Sequence, residues 1–326
     1  MRVLVTGGAG YFGSHMVLGL IDRGDEVVVL DSLATGFRSA VPETVTFVHG
    51  DVGDEAMVGA TIREHAIDAI VHFAASIVVP DSVADPLGYY LNNTVRTRAL
   101  IAAAVEAGVN ALVFSSTAAV YGTPPVNPVG EDAPLQPESP YGTSKMMSEL
   151  ILRDTAAVHD FRYAALRYFN VAGADPAMRA GQRSADATHL IKVACQAATG
   201  RRDRMSVFGT DYPTRDGTGI RDYIHVSDLI RAHLIALDRL AAGADSFVVN
   251  CGYGHGYSVL EVIDAVKRVS NTDFEVVMAE RRPGDPAEIV AGAERIRALG
   301  WTPRHDDLDG IVKTAIDWER RLNAAG

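Results

Sequence analysis

The chain is poor in cysteine, in basic residues and in long apolar runs. Only Cys195 and Cys251 occur in 326 residues, so neither a disulfide framework nor a CxxC pair for zinc or redox chemistry can be built. A reducing, cytoplasmic setting is expected from that scarcity. Lysine and arginine number 30 against 41 aspartates and glutamates, a formal net charge of -11. So acidic a chain offers little for a phosphate backbone to bind, and nucleic acid is not an expected partner. The most apolar interior stretch, residues 69–80, is broken by His72 and Ser76 and ends at Pro80. It falls well short of the roughly 20 residues a membrane helix needs, so no membrane association is expected. The apolar opening gives way to glycine at position 7, too early for the core of an export signal, and export is not expected. What is present is 48% hydrophobic composition, ample for a substantial core in one large α/β domain or two packed lobes.

Short β-branched runs at 3–5, 26–30, 45–48, 69–73 and 111–114 alternate with amphipathic stretches at about 12–22, 54–65 and 86–107. Repeated βα units of this kind make a parallel sheet covered by helices. Prolines at 124, 125, 128, 134, 137 and 140 mark a long loop, of the sort that often carries function. A helix is predicted from Tyr141 to about Val158, then a buried strand from Tyr163 to Phe169. Past Asn170 the pattern loosens, although Phe247–Cys251 again reads as a buried strand. The expected fold is α/β: a Rossmann-type doubly wound parallel sheet over residues 1–170, to which about 223–252 return, and a smaller C-terminal substrate lobe mainly over 171–326.

Gly7, Gly10 and Gly13 stand between the first strand and the first helix. A tight strand-to-helix turn needs positive φ, a pyrophosphate needs close backbone approach, and a closely packed helix needs a residue without Cβ. The unpaired N–H groups of the helix then face the anion. Asp31 follows 18 residues after Gly13, where a carboxylate can accept from ribose hydroxyls and repel a 2′-phosphate. NAD is thereby favoured over NADP, with Arg38 the residue that speaks for the phosphorylated form. Asp51 has two readings, a partner for the adenine amino group or a cap for the helix starting near Gly53.

Tyr141 and Lys145 are four apart in Tyr-Gly-Thr-Ser-Lys, which puts them on one helical face. A nearby ammonium stabilises a phenolate, so such a tyrosine can act as a base near neutral pH; the alternative is an ordinary surface pair. Thr117 supplies a hydroxyl after the strand 111–114, where it could equally cap a strand end. His72, His225 and His255 are too dispersed to seat a metal, and no metal is expected. Nor is there a Gly-x-Ser-x-Gly hydrolase signature.

Together the glycine turn, the Ser-Ser-Thr at 115–117 and the Tyr-x-x-x-Lys helix resemble the extended short-chain dehydrogenases/reductases, and within them the branch that inverts C4 of nucleotide sugars. That likeness runs in order through Phe-Ala-Ala at 73–75, Ser-Ser-Thr-Ala-Ala-Val-Tyr-Gly at 115–122, Arg-Tyr-Phe-Asn at 167–170, Gly-Thr-Gly-Ile-Arg-Asp-Tyr-Ile-His-Val at 217–226 and Arg-Arg-Pro-Gly-Asp at 281–285.

The resemblance implies reversible C4 epimerisation of UDP-galactose and UDP-glucose through a 4-ketose, with NAD retained between cycles and a homodimer as the assembly. Tyr141 would take the 4-hydroxyl proton, Thr117 would bond the reacting oxygen, and Lys145 would hold the nicotinamide ribose and keep the Tyr141 pKa low. Cofactor contacts would come from Gly7, Gly10, Tyr11, Phe12, Gly13, Asp31, Ser32, Asp51, Val52, Phe73, Ala74, Ala75 and Asn92, together with Tyr168 and Phe169 beside the nicotinamide. Asn170, His189, Leu190, Phe208, Arg221, Arg282, Asp285 and Ile289 would form the nucleotide-sugar site with Thr117 and Tyr141. Paired guanidinium groups suit a diphosphate, though Arg221 or Arg282 could instead pair with Asp222 or Asp285. Ile77 stands where many relatives have lysine, His189 where many have asparagine, and Ile289 where residue size governs room for an N-acetyl group. The alternatives are epimerisation of another UDP-sugar (N-acetylhexosamine or pentose), a nucleotide-sugar 4,6-dehydratase and a non-catalytic NAD-binding sensor. Ala118 and Ala119 after Thr117 disfavour the dehydratase, whose relatives carry an Asp-Glu pair there.

Overall fold

The computed structural model describes residues 1–184, 187–282 and 284–325. Six strands, β1 (Arg2–Thr6), β2 (Glu26–Asp31), β3 (Thr46–His49), β4 (Ala69–His72), β5 (Ala111–Thr117) and β6 (Arg162–Tyr168), form a seven-stranded sheet with the strand Phe247–Cys251. Its spatial order is Phe247–Cys251, β6, β5, β4, β1, β2, β3, and the pairings from β3 through to β5 are parallel. From β1 the chain steps outward through β2 to β3, then crosses back to β4 on the other side. Such a reversal leaves a crevice at the carboxyl ends of the central strands, the usual ligand position in open α/β sheets.

One face of the sheet buries Leu4, Val28, Leu30, Ile70, Leu112 and Phe114, which pack with Val58, Ile62, Leu100, Ala104 and Leu152 from the covering helices, and the alternate residues Val3, Val5, Val29, Val71 and Val113 are buried on the other. The chain divides into two compact units: residues 1–122, 135–167 and 230–249 in one, and 123–134, 168–229 and from Asn250 onward in the other. The second unit carries small sheets, pairing Asn170–Ala172 with Tyr223–His225, Arg204–Phe208 with Glu275–Ala279, and Ile220–Arg221 with both Tyr257–Ser258 and Glu288–Ile289.

Two local expectations change. The segment expected as one helix over 86–107 is built as Pro86–Tyr89, a π turn at Tyr90–Val95, and Arg96–Glu106, after a short helix Val79–Ala84. The π turn accompanies the burial of Asn93 (1% exposed), whose amide donates to Ser76 O (2.9 Å) and Ser144 Oγ (3.0 Å) and accepts from Ser76 N (2.8 Å). A widened turn is invisible to 3.6-residue periodicity. Asp51 is not the helix cap, because Asp54 accepts from Met57 N (3.0 Å) and caps the helix Glu55–Glu64. Asp51 folds onto Gly53 N (2.8 Å) and pairs with Arg96 (2.9 Å).

The helix Pro140–Ala156 starts where Ser139 Oγ accepts from Gly142 N (3.2 Å) and Pro140 fits the first helical position. Its inner face carries Glu149, which meets Arg167 of β6 at 2.5 Å and accepts the hydroxyl of Ser116 on β5. The Arg167 guanidinium also donates to Tyr121 Oη (3.0 Å). Glu149→Ala would strand the Arg167 charge away from water and is expected to lower the unfolding free energy by about 3 kcal/mol. Urea denaturation checks this, and a midpoint equal to the parent's would mean that the pair contributes little to holding the helix.

Candidate active site

The three glycines of the first turn serve different needs. Gly7 has φ +71°, and a Cβ there would lie 2.6 Å from Ala74 N after β4. A Cβ on Gly13 would come within 2.1 Å of Gly7 O, so the helix Tyr11–Arg23 packs on the turn only because that residue lacks one. Gly10, the N-cap, makes no side-chain cap, and its Cβ would meet only Gly7 O at 3.2 Å. A glycine that the protein's own packing needs so little leaves the helix N–H groups approachable, a cradle that fits a pyrophosphate. Gly8 was not singled out by spacing, yet its Cβ would strike Val29 at 2.7 Å.

Asp31 ends β2 with its carboxylate accepting from Ala9 N (2.9 Å) and Leu33 N (2.8 Å). It thus ties the glycine turn to the end of the strand. Arg38 is committed elsewhere, donating to Val41 O (2.9 Å) and lying 4.7 Å over the Phe47 ring. Ser32 is exposed and Val52 buried. Tyr11 and Phe12 tilt against each other at 4.9 Å, Phe73 lies 4.9 Å from His233, and Ala74 and Ala75 follow half-buried. Asn92 donates to Ser76 Oγ (2.8 Å) and accepts from Arg96 (2.7 Å).

Thr117, Tyr141 and Lys145 come together. Thr117 closes β5, accepts from Ala119 N (3.1 Å) and is hydrogen-bonded to the Tyr141 phenol. Lys145 Nζ donates to Ser115 O (2.9 Å) and lies 4.8 Å over the Phe114 ring. All three side chains are nearly sealed from water. Burial pushes the Tyr141 phenol up to about 12, against the pull of Thr117. Burial likewise pushes the Lys145 ammonium down to about 7, against the charge of Glu149. The expectation that Lys145 lowers the phenol is therefore not met by the protein alone, because desolvation outweighs the neighbouring groups.

Apart from Thr117 and Tyr141, the residues assigned to the sugar nucleotide lie in the second unit, as do Tyr168 and Phe169. Tyr168 and Phe169 are both buried. Asn170, His189 and Leu190 line one cleft. His189 precedes the helix Leu190–Ala198, and its Nδ1 is 2.9 Å from the Gln182 amide. Burial holds that imidazole below its ordinary range. Arg282 stacks on Phe208 at 3.7 Å. Arg221 approaches the exposed Asp285 only at 4.0 Å, and Ile289 is buried in register beside it. Pro283 of the 281–285 motif lies outside the described residues. Sequence reasoning missed Asn93, Ser115 as the Lys145 acceptor, and the buried Lys192–Glu319 pair, none of which has a spacing signature. Among the described residues, no group of His, Cys, Asp and Glu could hold a metal, and no helix is long and apolar enough to cross a membrane.

A glycine turn on a central parallel strand and a buried Thr–Tyr–Lys cluster at the end of β5 define the class, a Rossmann-type α/β protein with a dehydrogenase-like site. The chain belongs to the NAD dependent epimerase/dehydratase family, whose model matches residues 3–252. It is 56% identical over 322 residues to the UDP-glucose 4-epimerase of Azospirillum brasilense, across 98% of this chain and 92% of that protein. The crystal structure of UDP-glucose-4-epimerase from Stenotrophomonas maltophila, with bound NAD and formylated UDP-arabinopyranose, matches at TM-score 0.96 and 40% identity over 100% of both chains. The UDP-Glc/GlcNAc 4-epimerase from Campylobacter jejuni matches at TM-score 0.85 and 49% identity, covering 98% of this chain and 99% of its own.

Lys145 titrates near 7 in the fold and near 10.5 as a free side chain. Between those values the unfolded chain holds the extra proton, so stability rises with pH. In cofactor-free protein, Lys145→Met is expected to remove about 1 kcal/mol of that rise per pH unit. Parallel stability profiles for parent and variant, measured by denaturation across this window, would count against a lysine neutralised by burial.

Proposed function

We propose that this protein catalyses the reversible C4 epimerisation of UDP-galactose and UDP-glucose through a 4-keto intermediate, using tightly bound NAD. The observation that carries the reading is the buried Thr117–Tyr141–Lys145 cluster at the carboxyl end of β5, in a chain whose full-length relatives bear that activity in their names. NAD, when bound, supplies a hydride acceptor that can return the same hydride, and a positive charge on its nicotinamide.

Gly7, Gly10, Tyr11, Phe12 and Gly13 would hold the pyrophosphate, and Asp31 and Ser32 the adenosine ribose. Asp51 and Val52 would meet the adenine. Phe73, Ala74, Ala75 and Asn92 would line the path to the nicotinamide, with Tyr168 and Phe169 beside that ring. Tyr141 Oη takes the proton of the sugar 4-hydroxyl and returns it after the ketose has turned over. Because burial alone places the phenol near 12, the phenolate needs cationic support. The charged form of Lys145, one helical turn on, provides it while binding the ribose. Thr117 bonds the reacting oxygen and steadies the phenol. Arg221 and Arg282 take the diphosphate, and Asn170, His189, Leu190, Phe208, Asp285 and Ile289 complete the sugar-nucleotide site. The first unit would thus be mainly the dinucleotide-binding part and the second mainly the substrate part.

An N-acetylated UDP-sugar is the second reading, favoured by the match to the Campylobacter jejuni protein named for both sugars. Purified protein incubated with UDP-galactose without added NAD is expected to produce UDP-glucose to a constant ratio by proton NMR, with no free NADH. Tyr141→Phe should bind NAD and UDP-galactose yet lose more than about 99% of turnover, in line with the loss of a general acid/base. Normal turnover in that variant would remove Tyr141 as the base, and conversion of UDP-N-acetylgalactosamine alone would move the activity to the second reading.

We also read the protein as a cytoplasmic homodimer. Supporting the assembly, Val83, Leu87, Leu91 and Val95 recur every fourth residue and are 64%, 79%, 51% and 52% exposed, on segments that pack on the helix Pro140–Ala156 with its exposed Met147 and Leu150. So much aliphatic surface in one region marks an interface, and a second copy of the same patch is its simplest complement. Leu87→Asp with Leu91→Asp is expected to give a monomer in sedimentation velocity. A doubly substituted protein that still sediments as a dimer would place the interface elsewhere.

A further inference from the structure

We propose that Asp222 is a positioning residue that sets the geometry of the sugar-nucleotide site through a buried carboxylate clamped by three backbone amides. The proposal rests on the reading of Asn170, Arg221 and Ile289 as substrate contacts. Asp222 is 0% exposed. Its Oδ1 accepts from Tyr253 N (2.9 Å), and its Oδ2 from Gly254 N (2.9 Å) and Ala291 N (3.3 Å). Its own peptide group extends the clamp, the carbonyl accepting from Asn170 N (2.9 Å) and the N–H donating to Ile289 O (3.3 Å). Arg221 is the preceding residue and pairs in register with Ile289 and with Tyr257.

One residue therefore joins the three segments that carry Asn170, Arg221 and Ile289. The salt bridge weighed for it with Arg221 is not its role, since its oxygens face amides. Three N–H donors converging on one side chain suit a carboxylate, which is all acceptor; a carboxamide would turn N–H against N–H. Space is as tight as the hydrogen bonding, because a Cβ on Gly252 would stand 2.6 Å from Asp222 Oδ2. Burial raises the Asp222 carboxyl to about 6 while the amides oppose the rise, so the clamp is ionised at neutral pH.

The test is Asp222→Asn in the full-length protein with its NAD. KM for UDP-galactose is expected to rise roughly tenfold, the equivalent of one lost charge-assisted hydrogen bond. Turnover at saturation should stay within about twofold and NAD content should be unchanged, because the clamp acts on substrate placement and not on proton or hydride transfer. A lower melting temperature with the parent's KM would overturn the proposal and leave Asp222 a purely structural residue. Failure of the functional reading looks different, since the parent would then neither convert UDP-galactose nor bind UDP by calorimetry. Should Asp222→Asn not fold, hydrogen exchange on the parent decides. UDP is expected to slow exchange at Tyr253 and Gly254, amides that bond the clamp and have no assigned substrate contact, and unchanged exchange there would falsify the coupling.

Discussion

The buried pair of Glu149 and Arg167 is the interaction on which the site most depends. Glu149 lies on the inner face of the helix Pro140–Ala156, Arg167 on β6, and Ser116 on β5 donates to the same carboxylate. The ion pair thereby fixes the helix that carries Tyr141 and Lys145 against β6, and the Ser116 hydroxyl ties the same carboxylate to β5, the strand that ends in Thr117. Desolvating two charges is costly, and the cost is offset here by a multiply bonded guanidinium and a hydroxyl that completes the carboxylate's shell. The same negative charge favours the charged form of Lys145 against the lowering that burial imposes. Position and electrostatics of the reactive groups are thus set by one element.

On the proposed function two tasks are separated by chemistry. Phosphate in the first unit would be met by backbone N–H groups, which need an uncrowded turn more than they need cations. Gly7 and Gly13 satisfy the turn's own steric demands and Gly10 keeps it open. In the second unit, cations would meet the substrate. Arg282 is steadied by stacking on Phe208 and Arg221 by its place in a small three-stranded sheet. A net charge of -11 does not prevent this, because short-range pairing at a half-buried arginine is screened less than the pull of distant surface charges.

Much of this was legible in the sequence because it depends on local spacing. Alternation of apolar runs defined the strands to within a few residues, and Phe247–Cys251 read as a strand that could rejoin the main sheet, as it does. The glycine spacing, Asp31 at the end of β2, and the four-residue step from Tyr141 to Lys145 each follow from the pitch of a helix or the end of a strand. Of the two readings of Asp51, the helix cap falls away, because Asp54 caps the helix while Asp51 pairs with the distant Arg96. The Tyr141 phenol is raised rather than lowered, since the cost of burial is a property of everything packed around the group.

By itself the sequence determined the class of fold, the glycine turn and the step that sets Tyr141 and Lys145 on one helical face, because each is written in residue type and period. Tertiary structure decided the rest. The π turn that accompanies the burial of Asn93, the Glu149–Arg167 anchor and the clamp at Asp222 join residues 17 to 69 positions apart. No local pattern encodes such partnerships, since a buried polar group is specified by whichever donors and acceptors the folded chain brings to it.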